Sequence, residues 1–212
     1  MTTHCALIGD IKGSRKLDNW PEVFQKLRET LDEVNRRFAD DLLAPFKPTV
    51  GDEFQGALKT PHNACDIYTF IKSSLPVSLY CGMGIGEVEK SAEGDTGLRG
   101  TAFYRARSAL EICKKENSVL RTKSSDGENQ SDEVINTLLK FVGAIENSWT
   151  QRQREIVHFY RLHPEYTHEK MGQYSGISQP AISKILKAAN FELVSEGEAL
   201  VRNIIRSSGA KR

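Results

Sequence analysis

Apolar positions along this chain fall into two periods, near two and near 3.6 residues, and the alternation between them lays out the elements. Residues 5–11 form a short apolar run that closes on Gly9-Asp10-Ile11 and reads as a strand. A polar turn, Lys12-Gly13-Ser14-Arg15-Lys16, follows. Val23, Leu27, Leu31, Val34 and Phe38 then recur at helical spacing, which predicts an amphipathic helix over about 20–42. Residues 46–50 and 53–58 read as two strands about a Gly51-Asp52 turn. Thr60-Pro61 predicts a helix start, with Cys65, Tyr68 and Ile71 on its apolar face. Residues 77–86 read as a strand in which Gly82, Gly84 and Gly86 leave one face bare, so that a helix or ligand can approach closely. A helix over about 102–115 and a strand near 119–122 complete this half.

The order strand, helix, strand, strand, helix, strand, helix, strand matches the split βαβ plan of ferredoxin-like domains, with one helix and one strand added. The Ser-, Gly- and Asp-rich stretch 123–132 marks a linker, and helical periodicity dominates beyond it. The expected fold class is therefore α+β: a ferredoxin-like domain over 1–123, a linker and connecting helix over 124–148, and an all-α unit over 149–212.

The all-α unit carries a helix-turn-helix pattern. Thr150 and Thr167 stand at cap positions. Met171-Gly172, Gly176-Ile177, Ile182 and Ile185-Leu186 supply the small, turn and apolar positions of two crossed helices. Ser178 caps the second, and Pro180 is tolerated in its first turn. On that helix Gln179, Ser183, Lys184 and Lys187 share a polar side. In double-stranded DNA, Ser178 and Gln179 would meet base edges, and the lysines phosphate. The alternative is a helical hairpin that serves protein contact. Leu193, Val194, Leu200, Val201, Ile204 and Ile205 form a final stripe suited to packing or dimer formation. His158, His163 and His168 share no evident partner set.

Composition narrows the classes. At 212 residues, 27% charged and 39% hydrophobic, the chain has ordinary globular proportions. No apolar stretch approaches the roughly 20 residues needed to cross a bilayer, and the first residues do not resemble a secretory signal. The four cysteines form no C-x-x-C pair, which fits reduced thiols in a cytoplasmic protein. Residues 149–212 hold ten Lys and Arg against six Asp and Glu, whereas the remainder holds 19 against 22. A mildly basic tail on a mildly acidic body suits phosphate-backbone binding by the tail.

The candidate chemistry lies in the first half. Asp10 and Asp52 each follow a glycine at the end of an apolar run. Two carboxylates brought together there repel unless a cation lies between them, and hard oxygen ligands suit Mg²⁺ or Mn²⁺. Backbone N–H groups of the loop Lys12-Gly13-Ser14, between a strand and a helix, can face a phosphate. The alternative is ordinary turn chemistry, with Asp10 as a cap and Asp52 in a hairpin.

Gly9-Asp10-Ile11 with Gly51-Asp52-Glu53-Phe54, the glycine strand 81–88 and residues 100–107 resemble the palm-type class III nucleotidyl cyclases. Over most of its length the chain is similar to the SatD family, which joins a cyclase-like region to a C-terminal helix-turn-helix. The resemblance implies metal binding by Asp10 and Asp52, with the Ile11 carbonyl as a further ligand. It also implies a nucleoside triphosphate at Ile11, Lys12, Gly13 and Ser14, and a homodimer. Where such cyclases place Asn and Arg on the helix after the glycine strand, this chain has Tyr104 and Ser108. Arg105 or Arg107 can substitute, and no catalytic residue is assigned.

Overall fold

A computed structural model describes residues 3–90 and 98–209. Met1 and Thr2, part of the stretch read for a signal, lie outside them. The elements are β1 (His4–Ile11), α1 (Trp20–Arg37), β2 (Leu42–Pro48), β3 (Glu53–Leu58), α2 (Ala64–Ser74), β4 (Leu79–Gly86), β5 (Glu89–Lys90) and β6 (Leu98–Arg99). They continue with α3 (Thr101–Glu116), β7 (Leu120–Lys123), α4 (Gln130–Asn147), α5 (Gln151–Leu162), α6 (His168–Ser175), α7 (Gln179–Ala188) and α8 (Phe191–Gly209). The protein is thus a mixed α+β chain. No described helix is long and apolar enough to cross a membrane.

Five strands form one sheet in the order β2-β3-β1-β4-β7. β1 lies at its centre, antiparallel to both β3 and β4, and β7 joins β4 in parallel. The first four of these strands and their two helices follow the expected split βαβ arrangement. Alternation along β1 then decides which side each residue faces. Cys5, Leu7 and Ile11 enter the large core with α1, α2, α4 and the end of α8. Ala6 and Ile8 face the opposite side, against Ala102, Phe103, Ala106 and Leu110 of α3. Asp10 continues that second series, so it points toward α3.

α3 sits close because β4 has no side chains in the way. A Cβ on Gly82 would be driven into the backbone of Ala106 and Leu110, and one on Gly84 into that of Ala102 and Ala106. The bare face read from the sequence is therefore the seat of a helix.

Several boundaries differ from the sequence expectation. α1 ends at Arg37, a short 3₁₀ turn spans Ala39–Asp41, and β2 begins at Leu42 instead of residue 46. Leu42 and Ala44 pair with Leu58 and Ala57 of β3, so the sheet claims Leu42, which helical spacing had assigned to the end of α1. Thr60 and Pro61 lie in a turn, and α2 starts at Ala64 behind Asn63. The polar stretch contains the N-cap of α4: Asn129 accepts a hydrogen bond from Asp132 N–H.

The C-terminal helices are tied to the sheet. Ile135 and Leu139 of α4 and Val201 and Ile205 of α8 share the large core with β1. Arg202 and Arg206 of α8 reach Asp66 of α2 at 2.8 and 3.0 Å. A second core joins Trp149, Ile156 and Val157 to Met171, Ile182, Leu186 and Val194.

Candidate functional site

Residues from three elements meet at the end of β1. Asp10 and Glu53 are register partners across β1 and β3, so their side chains stand on the same face, beneath α3. Lys114 and Arg107 lie seven residues apart on α3, about two helical turns, and therefore on one side of it. Lys114 Nζ donates to Asp10 Oδ2 at 2.7 Å and lies 3.5 Å from Glu53 Oε1. Arg107 Nη1 contacts both Glu53 oxygens, at 2.7 and 2.8 Å.

Asp52 closes the cluster from the β2–β3 turn. Its carbonyl accepts the Ile11 N–H at 3.3 Å, and its carboxylate accepts from the Ser14 hydroxyl. The turn is thereby fastened to the loop after β1. Asp10 lies close enough to Asp52 to feel its charge. Burial pushes the Asp10 carboxyl above its usual value; Lys114 pulls it down, and Asp52 and Glu53 push it further up. Glu53 behaves oppositely: burial acts upward, but Arg107 and Lys114 outweigh it and hold the carboxyl low.

The loop residues divide. Ile11 has a buried side chain, so only its backbone faces the site. Lys12 gives its backbone N–H to the Ser78 carbonyl at 2.9 Å, so among the N–H groups of the loop this one is occupied. Its ammonium contacts Asn117 Oδ1 and lies over the Tyr80 ring. Among the described residues the N–H groups of Gly13 and Ser14 have no protein partner. Arg105, the other arginine considered, is turned away to Asp126 and the Ile85 carbonyl.

Sequence reasoning missed Glu53 and Lys114. Glu53 was signalled by parity, because a hairpin centred on Gly51-Asp52 places residue 53 opposite the end of β1. Lys114 was signalled by its spacing from Arg107. Among the described residues no cluster of three or more His, Cys, Asp or Glu is arranged to hold a metal. The donors on offer are the hard carboxylate oxygens of Asp10 and Asp52. That set fits Mg²⁺, which is usually held by one or two carboxylates with the rest supplied by substrate phosphates and water.

The C-terminal features also take definite positions. Thr150 forms a capping box with Gln153, and the Thr167 hydroxyl accepts from Lys170 N–H. Gly176 ends α6 at φ 68°, the left-handed turn between α6 and α7. Ser178 occupies the N-cap of α7 without a side-chain hydrogen bond to its backbone. Ser178, Gln179, Ser183, Lys184 and Lys187 are all exposed, while Ile182 and Leu186 are buried. Ser183 Oγ is 2.9 Å from His168 Nδ1. Among the described residues neither Lys184 nor Lys187 has a carboxylate partner.

Three solved cyclase structures are similar to part of the chain. One is a bacterial light-regulated adenylyl cyclase, at 11% identity over 57% of this chain and 75% of that one, with a TM-score of 0.44. An adenylate cyclase from Trypanosoma brucei is 15% identical over 50% of this chain and 68% of that one, at 0.38. The guanylate cyclase domain of RhGC from Catenaria anguillulae is 17% identical over 50% and 71%, at 0.37. No curated protein matches the chain. A family model matches residues 4–204, and the chain belongs to the SatD family.

Proposed function

We propose that this SatD-family protein binds a nucleoside triphosphate chelated to Mg²⁺ or Mn²⁺ at the end of β1, and binds double-stranded DNA through α6 and α7. The observation that carries the first part is the fastening of the Asp52 turn to the loop after β1, beside the Asp10–Lys114 and Glu53–Arg107 pairs. Asp10 and Asp52, with the Ile11 carbonyl, would hold the cation. The cation would neutralise phosphate charge. The free N–H groups of Gly13 and Ser14 face anions well, since a turn of successive N–H groups forms a cradle. Arg107 and Lys114, now balanced by Glu53 and Asp10, provide two cations for a triphosphate once a metal competes for the carboxylates.

Support for DNA binding is the exposure of Ser178, Gln179, Ser183, Lys184 and Lys187 on a helix held by a capped, glycine-turned hairpin. A homodimer would present two such helices at fixed spacing. Leu193 and Leu200 supply exposed apolar surface on α8 for that pairing. On this reading residues 149–212 form the DNA-binding part.

One observation favours a second reading, in which the first half is a catalytically degenerate dimerisation scaffold. The Lys114 ammonium already satisfies Asp10, and Arg107 already satisfies Glu53. Calorimetric titration with ATP, GTP, CTP and UTP in Mg²⁺, repeated with chelator, separates the two. Chelator-sensitive binding of at least one nucleotide supports the site, and chromatography of the same mixtures shows whether a product forms. Absence of binding to all four supports the scaffold.

A further inference from the structure

A cavity of about 290 Å³ opens where the α2–β4 connection meets the turn between α4 and α5. Small-molecule sites begin at roughly this size and favour junctions between structural units. Val77, Val119 and the indole of Trp149 give it apolar lining. Lys72 of α2 and Glu146 of α4 add charge to the lining, and α5 adds Glu155 with Arg154 and His158, the last two one turn apart on one face.

These two groups have bonding capacity to spare. Arg154 Nη2 donates to the Trp149 carbonyl at 3.1 Å, and the guanidinium has no carboxylate partner among the described residues. His158 is half-buried, and its ring has no hydrogen-bond partner among those residues. Burial, then the charges of Arg161 and Lys72, bring its pKa down to about 4. The imidazole is thus neutral near pH 7, with one donor and one acceptor nitrogen. The other charges at the cavity are matched. Lys72 pairs with Glu146 at 2.8 Å, and Glu155 with Arg152 at 3.3 Å.

We propose that this cavity binds a small aromatic carboxylate, its ring against Trp149 and its carboxylate on Arg154 and His158. A surplus guanidinium favours a carboxylate, which it can bind through two parallel hydrogen bonds. Apolar walls and an indole favour a flat apolar body. Ammonium ligands are disfavoured by Lys72 and Arg154 together. The site adjoins both ends of the molecule's proposed function. Ser78 at its edge accepts the Lys12 N–H, and Trp149 Nε1 donates to the carbonyl of Ala189, the C-cap of α7, at 2.7 Å.

The test uses benzoate and the full chain carrying Trp20→Phe, which leaves Trp149 as the sole tryptophan. Benzoate should change Trp149 emission saturably below about 10 mM, an affinity within reach of so small a ligand. Adding Arg154→Ala should weaken binding about tenfold or more, as should replacing benzoate with benzyl alcohol. Val77→Phe, which fills the cavity without touching Arg154, should abolish the response in a chain with unchanged circular dichroism. No saturable response to benzoate overturns the proposal. So does the same affinity in both the Arg154→Ala and Val77→Phe chains.

Discussion

Lys114 Nζ lies 2.7 Å from Asp10 Oδ2, a contact between residues 104 positions apart that fastens α3 to the end of the central strand. Within the site the ammonium opposes the upward push of burial on the Asp10 carboxyl. Lys114→Ala should therefore raise the Asp10 pKa further. Carbon-13 NMR titration of the aspartate carboxyl groups reads this directly; an unmoved or lowered Asp10 would contradict the pairing.

Gly82 and Gly84 admit the backbone of α3 where no Cβ fits. Each substitution to alanine should cost about 2 kcal/mol or more, in the range of overpacked cores. Gly127→Ala, with open space around it and no left-handed backbone, is the neutral control. Gly176 also has open space, but its φ of 68° penalises any side chain by about 1–2 kcal/mol. Urea unfolding should show the largest losses for the Gly82 and Gly84 variants, a smaller loss for Gly176→Ala, and none for Gly127→Ala.

The fold was legible where one period dominated. The apolar run of residues 5–11 marked a strand, and the glycines of β4 a bare face open to a helix or a ligand. Residues 38–45 were harder, because Leu42 pairs with β3 while local spacing prolongs the helix to about residue 42. At the site, Asp10 and Asp52 stood out by type and by their preceding glycines. Glu53 and Lys114 were hidden because their roles depend on register and on the packing of α3, which are non-local. The occupied Lys12 N–H shows the same limit, since its acceptor Ser78 belongs to a distant segment.

A buried charge cluster makes stability depend on pH. Glu146 is enclosed, and burial pushes its carboxyl up, but Lys72 and Arg161 outweigh this and bring it down to about 2. A carboxyl depressed on folding stabilises fully above its unfolded pKa near 4.5, and that contribution is lost as pH falls toward about 2. His158, depressed to about 4 from 6.5 by burial, is neutral in both states above 6.5, and its protonation penalises the fold as pH falls from 6.5 toward about 4. Stability should thus fall in two stages on acidification. His158→Gln should flatten the first stage. Glu146→Gln should remove the second and cost about 3 kcal/mol at neutral pH, since Lys72 and Arg161 are then left to share Glu198 alone. Denaturant melts across pH 2–8 test both.

Lys184 and Lys187 stand exposed on α7, without carboxylate partners among the described residues. If they meet DNA phosphates, replacing both by alanine should weaken binding to all sequences and reduce the slope of log K against log salt by about 2. Gln179→Ala should instead relax the preference at one base position. Fluorescence anisotropy over a salt series measures both; identical slopes for wild type and the lysine variant would favour a protein-contact role for α6 and α7.

Asp10 and Asp52 are proposed to hold a divalent cation on a triphosphate. Electron paramagnetic resonance of Mn²⁺, titrated with the protein and a non-hydrolysable nucleoside triphosphate, tests it most directly. The wild-type chain should remove more Mn²⁺ from the free signal than triphosphate alone, and the Asp10→Asn, Asp52→Asn double variant should not. Equal Mn²⁺ uptake by both chains, or none by the wild type with any of the four bases, would contradict the claim.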